Sequence, residues 1–228
     1  LQEDLQLNIA PRRIEAFDIS HLGGENTVAS MVSFMDGKEK KSDYRKYKIK
    51  EVNGIDDFAA IREVVFRRYK RLKNKKLSYP DLILIDGGKG QLNMAISALR
   101  DLGLDYLLVI GLAKRLEEVY IPGNPDPQSI PKNSPGLILL RKIRDEAHRF
   151  AITYQKQKRN KKVRESIFDS VRGMGPKRIQ TLFKTFQGIE NIAKADSNII
   201  AQKTNIPLNI AKEIILVAKQ FYSEQKPK

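Results

Sequence analysis

Two aspartates and one histidine stand where side chains could do chemistry. Asp18 follows the apolar run Ile14-Glu15-Ala16-Phe17, and Asp86 follows the run Leu82-Ile83-Leu84-Ile85 and precedes Gly87-Gly88. His148 lies in Arg144-Asp145-Glu146-Ala147-His148-Arg149-Phe150, at the border of an apolar stripe through Ile143, Ala147 and Phe150. Carboxylates that end adjacent strands can converge on one point. Close carboxylates repel, so a metal ion is their usual neutralising partner. Carboxylate oxygens suit Mg²⁺ or Mn²⁺, and Mn²⁺ also accepts a neutral imidazole. Such ions can support phosphodiester hydrolysis by generating a hydroxide nucleophile and stabilising the leaving oxygen. Either aspartate alone could equally be a turn residue or a helix cap. A histidine at a helix-face border is often structural. His21, three residues after Asp18, is either a supporting residue or a loop residue.

The elements that must position these residues follow from the hydrophobic pattern. Arg13 to Lys50 reads as three consecutive antiparallel strands, the first ending near Gly23-Gly24 and the second at the hairpin signal Asp36-Gly37. The third spans Tyr44 to Ile49. A helix over Asp56–Lys73 is predicted from Phe58, Ile61, Val65 and Tyr69, with Asp56 as its cap. Leu82 to Ile85 suits a strand buried on both faces. A helix over Gln91–Leu102, a buried strand over Leu107–Leu112 and a short strand over Glu117–Ile121 come next. Ser134 caps a long helix from Pro135 to about Tyr154. The fold class is α/β: a mixed sheet flanked by helices, the architecture of ribonuclease H-like nucleases, followed by a small all-α domain. The boundaries expected are 1–158 for the first domain, 159–165 for a basic linker, and 166–228 for the second.

Asp86-Gly87-Gly88-Lys89-Gly90-Gln91 superficially resembles a phosphate loop. Gln91 stands where Ser or Thr is needed, which excludes an NTPase site. Lys89 could neutralise a phosphate or simply be a solvated residue at a helix start.

Composition bounds the partners. Of 228 residues, 42 are Lys or Arg and 27 are Asp or Glu, a formal charge of +15 that attracts polyanions. The chain has no cysteine, which excludes disulfides, thiolate metal sites and cysteine nucleophiles and fits a reducing cytoplasm. No apolar run is long enough to span a bilayer. The sequence begins Leu1-Gln2-Glu3 without an initiator Met and reads as a fragment.

In the all-α tail, Val171-Arg172-Gly173-Met174-Gly175-Pro176-Lys177-Arg178-Ile179 matches a helix-hairpin-helix hairpin. Gly173 and Gly175 permit a tight turn whose N–H groups face a phosphate, and Lys177 and Arg178 add charge. Such a hairpin reads DNA backbone rather than sequence. In the second copy, Thr204-Asn205-Ile206-Pro207-Leu208, Asn205 replaces the first glycine and Pro207 removes a donor, so a weaker contact is expected.

Taken together, Phe17-Asp18-Ile19-Ser20-His21, Leu84 to Leu92, Gly111-Leu112-Ala113-Lys114 and Ile143 to Phe150 resemble the C-terminal half of the bacterial UvrC family. The tail is similar to that family's tandem helix-hairpin-helix domain. The resemblance implies a ribonuclease H-like endonuclease domain in which Asp18, Asp86 and His148 are the catalytic, metal-binding set. It implies incision of one DNA strand on the 5′ side of a lesion, leaving a 3′-hydroxyl, in a complex with UvrB after loading by UvrA. It places the family's GIY-YIG nuclease, which makes the 3′ cut, in an N-terminal half that this sequence lacks. Two alternatives remain open at this point: a ribonuclease H or resolvase acting without UvrB, and a non-catalytic DNA-binding scaffold.

Overall fold

The computed structural model describes residues 1–22, 26–50, 52, 56–113 and 118–224; at 22, 26, 154–165, 223 and 224 the backbone alone is described. Gly23, Gly24, Lys114 and Glu117, named above, lie outside the described residues. The chain forms two compact units, Leu1–Gln155 and Lys156–Lys228.

The first unit is built on a seven-stranded mixed sheet. β1 (Arg13–Leu22) and β2 (Asn26–Met35) pair antiparallel, and β3 (Lys38–Glu39) and β4 (Arg45–Lys48) both pair with β2. β5 (Leu82–Asp86) lies parallel to β1 on its other side. β6 (Val109–Leu112) extends the sheet in parallel, and β7 (Val119–Tyr120) closes it antiparallel. The β2–β3 turn has positive φ at both Asp36 (50°) and Gly37 (74°), the conformation that matches hairpin twist. The three-strand expectation thus holds, with two-residue β3 as an addition too short to carry a sequence signal.

Alternation along the strands divides the core into two layers. Phe17, Met31, Ile83 and Ile85 face α1 (Asp57–Asn74) and α2 (Lys89–Arg100). Ile14, Ala16, Val32, Leu82 and Leu84 face Leu137, Leu140, Ile143 and Ala147 of α3 (Pro135–Ile167). β5 is buried along its whole length because both faces are covered. Asp56 caps α1 as expected, its carboxylate accepting from the N–H groups of Phe58 and Ala59. Ile61, Val65 and Tyr69 are fully buried, whereas Phe58 is 53% exposed, so the apolar stripe overshoots the sheet by one turn.

α3 is longer than the sequence suggests. It runs on to Ile167, so the stretch 159–165, expected as a linker, is helical, and a turn follows at 168–170. The physical reason is composition: no Gly or Pro occurs between Gly136 and Gly173, and Lys, Arg, Gln and Glu are good helix formers. A charge run alone does not end a helix.

The second unit comprises α4 (Pro176–Phe186), α5 (Ile189–Lys194), α6 (Ser197–Thr204) and α7 (Leu208–Glu224). Their core holds Phe168, Leu182, Ile192, Ile200, Ile206 and Ile214. Among the described residues no helix is long and apolar enough to cross a membrane.

One buried charge ties α1 to β1. Glu15 is fully buried and accepts from Arg68 Nη2 at 2.6 Å, Arg68 Nε at 3.1 Å, Arg13 Nη2 at 2.7 Å and Tyr69 Oη at 3.3 Å. Burial, and then the Glu15 charge, pushes the Tyr69 phenol well up, which keeps it a donor. Removing one member of such a cluster strands the other charges. Glu15→Leu is therefore expected to cost about 3–5 kcal/mol in urea unfolding followed by far-UV circular dichroism, with much of the loss recovered in Glu15→Leu/Arg68→Met.

Candidate active site

The pairing of β1 with β5 brings two carboxylates side by side. Phe17 is the partner of Ile85, so the next residues along, Asp18 and Asp86, fall at the same level of neighbouring parallel strands. Both continue the even-numbered positions that face α3, after Ala16 and Leu84. Asp18 is 2% exposed and Asp86 6%. His148 projects from α3 over them, with half of its side chain exposed. His148 Nδ1 lies 3.7 Å from Asp18 Oδ2. One oxygen or nitrogen from each of Asp18, Asp86 and His148 lies within 4.8 Å of the others.

The turn after Asp86 is cut close to the sheet. Gly87 N–H donates to Leu112 O at 3.1 Å, and a Cβ on Gly111 would stand 2.9 Å from the Gly87 carbonyl oxygen. A side chain at position 111 would push this turn away, and Asp86 with it.

A second polar contact holds the helix. Ser30 is the direct β2 partner of Asp18 and is 1% exposed. Its hydroxyl donates to Ala147 O at 3.0 Å. Ser30 thus links the row containing Asp18 to the residue just before His148. Sequence reasoning missed it. The only signal was a small polar residue inside the strand Thr27-Val28-Ala29-Ser30-Met31.

The donor set can hold a divalent cation. Two carboxylates and one imidazole match the hard, mainly oxygen preference of Mg²⁺ or Mn²⁺. Two buried carboxylates brought together offer a cation a concentrated patch of oxygen ligands. The exposed imidazole leaves the outer side accessible to water and to a phosphate.

Other residues singled out in the sequence fall elsewhere. His21 points to the α1 side of the sheet, where its Nε2 lies 2.7 Å from Asp57 Oδ1 and its Nδ1 3.1 Å from Thr27 Oγ1. Lys89 starts α2, and its ammonium donates to Pro125 O at 3.1 Å. In the second unit Gly173 has φ +91°, Gly175 caps α4, and Lys177 is exposed. Arg178 Nη1 donates to Gly173 O at 2.7 Å, so here it closes its own hairpin. Asn205 adopts a left-handed conformation (φ 53°) in the position corresponding to Gly173, and buried Ile206 corresponds to Met174.

The family model described as UvrC RNAse H endonuclease domain matches residues 2–152. The chain belongs to the UvrC family. UvrABC system protein C of Chlorobaculum tepidum is 51% identical over 195 residues, covering 86% of this chain and 31% of its own length. The protein of the same name from Salinibacter ruber is 49% identical and covers 89% of this chain and 32% of its own length. That of Streptomyces avermitilis is 42% identical, covering 96% and 36%. The chain thus spans about a third of the length of these UvrC relatives. A fainter likeness in structure, with a TM-score of 0.36 and 24% identity over 55% of each chain, is to Ciona intestinalis endonuclease V in complex with inosine-containing DNA.

Proposed function

We propose that the first unit is a divalent-metal-dependent DNA endonuclease that makes the 5′ incision at lesions in nucleotide excision repair. The observation that carries this reading is the convergence of Asp18, Asp86 and His148 in a region matched by the UvrC endonuclease family. Asp18 and Asp86 hold Mg²⁺ or Mn²⁺ through their carboxylates, and the His148 imidazole completes the set. A bound ion there supplies Lewis-acid activation of water and neutralises charge on the phosphoryl group. The protein contributes the rest. β1 and β5 fix the two carboxylates, α3 brings the imidazole, and Lys89 can turn from Pro125 O towards a substrate phosphate. Hydrolysis breaks the P–O3′ bond and leaves a 3′-hydroxyl.

The second unit is the DNA-backbone anchor of this reading, with tandem helix-hairpin-helix elements over 166–228. The hairpin of Gly173, Gly175 and Lys177 offers the first-turn N–H groups of α4 to a phosphate, with Arg178 bracing its loop. The Asn205-Ile206-Pro207 hairpin has one donor fewer and contributes less. Damaged duplex DNA is the substrate, loaded through UvrA and UvrB in the cytoplasm. The 3′ cut belongs to a GIY-YIG nuclease in the N-terminal half of the full-length protein.

The test places Asp86→Asn in the full-length protein with its partners, ATP and Mg²⁺ on a lesion-containing duplex. Loss of the 5′ cut with the 3′ cut retained is expected, and retention of both would overturn the reading. Ser30→Ala is expected to keep the fold but weaken Mn²⁺ binding about 10–100-fold, the usual cost of losing a residue that orients a ligand. Electron paramagnetic resonance titration of free Mn²⁺ reads this without relying on cleavage. Unchanged affinity would show that the core packing of α3 alone positions His148.

A further inference from the structure

The end of α1 and its cap carry five cations that have no part in the proposed incision. Lys70, Arg71, Lys73, Lys75 and Lys76 are all exposed. Among the described residues none of the five forms an ion pair. Earlier on the same helix, Arg62, Arg67 and Arg68 are each paired, with Asp101, Glu63 and Glu15. The helix dipole favours a cation near the C-terminus, but it does not call for five. Lys70 with Lys73, and Arg71 with Lys75, are like charges at neighbouring positions of the helix surface, which costs stability. The cap carries a further cost. Lys76 N–H donates to Lys73 O and Leu77 N–H to Leu72 O, a pattern that sets Lys76 in a left-handed conformation, φ 50°. Glycine suits that position best, and a lysine stands there instead.

Two contacts locate the cluster. Arg13, which opens β1, donates through Nη1 to Ser78 O at 3.1 Å. Lys73 Nζ donates to Leu102 O, just past the end of α2. Asp18 lies five residues along β1 from Arg13, about 17 Å away. The cations therefore line the edge of the sheet opposite the candidate active site. From Lys70 to Lys76 the chain covers about 9 Å of helix axis, and a phosphate recurs about every 3.4 Å of axis along one DNA strand. Two or three successive phosphates match that length. We propose that this cluster is a further contact for the DNA phosphate backbone, gripping the duplex away from the incised phosphate. This inference rests on the nuclease reading above.

The test measures binding of the full-length protein to undamaged duplex by fluorescence anisotropy, without divalent metal, between 50 and 200 mM salt. Arg71→Gln/Lys75→Gln/Lys76→Gly is expected to lower the slope of log affinity against log salt by about 1.8, the loss of two phosphate contacts. Over that salt range the affinity of wild type then falls about tenfold more than that of the variant. Lys76→Gly alone is expected to raise the thermal unfolding temperature yet weaken DNA binding, a pairing that a purely structural role does not produce. An unchanged slope would overturn the proposal. So would an equal drop on replacing three scattered exposed cations, Lys38, Lys132 and Lys142, by Gln, which would reduce the effect to net charge. Incision impaired in the complex with unchanged affinity for bare DNA would also overturn it, and would assign the cluster to an acidic protein surface. Asp86→Asn separates the two readings. Persistence of the 5′ cut in that variant defeats the nuclease reading, whereas affinity for bare duplex is read without cleavage.

Discussion

The parallel pairing of β1 with β5 is the constraint on which the rest of the first unit depends. With Phe17 set against Ile85, Asp18 and Asp86 share one level and one face of the sheet. A slip of one residue would turn either carboxylate to the α1 side, and with it the whole apolar set of that strand. The hydrophobic core therefore enforces an arrangement that electrostatics alone opposes. Leu82, Ile83, Leu84 and Ile85 are all buried, and the free energy of burying them holds two nearly buried carboxylates together. Positive charge brought to that point lowers this cost, which is why the same geometry that burdens the fold suits a metal ion.

The second constraint is the position of α3. Leu137, Leu140, Ile143 and Ala147 seat the helix on the sheet, and Ser30 bonds it at the level of Asp18. Apolar packing sets which face points inward but tolerates small sliding. A buried hydroxyl bonded to one carbonyl does not tolerate it, because the hydroxyl would lose its partner. Burial and one directional bond together bring His148 over the aspartates while leaving its ring half open.

Much of this was readable in the sequence because it follows from periodicity and capping. The run Leu82 to Ile85, the Asp56 cap and the Asp36-Gly37 turn appear in the structure as expected. Asp18, Asp86 and His148 could be singled out because each closes or borders an apolar element. Contacts between elements distant in sequence were not readable. Ser30 to Ala147 spans 117 residues and Glu15 to Arg68 spans 53, and no local pattern encodes either. The exposure of Phe58 depends on where the sheet ends, which the helical stripe cannot reveal. Arg178 was read as a phosphate ligand from its charge, whereas its hydrogen bond to Gly173 O depends on the shape of the hairpin.

The most direct measurement is Mn²⁺ anomalous scattering from crystals of the protein soaked in that ion. The account predicts a peak within about 2.0–2.2 Å of oxygens of Asp18 and Asp86 and of a nitrogen of His148, the distances expected for first-row divalent metals. A fully occupied peak elsewhere, with none between these three side chains, would contradict it.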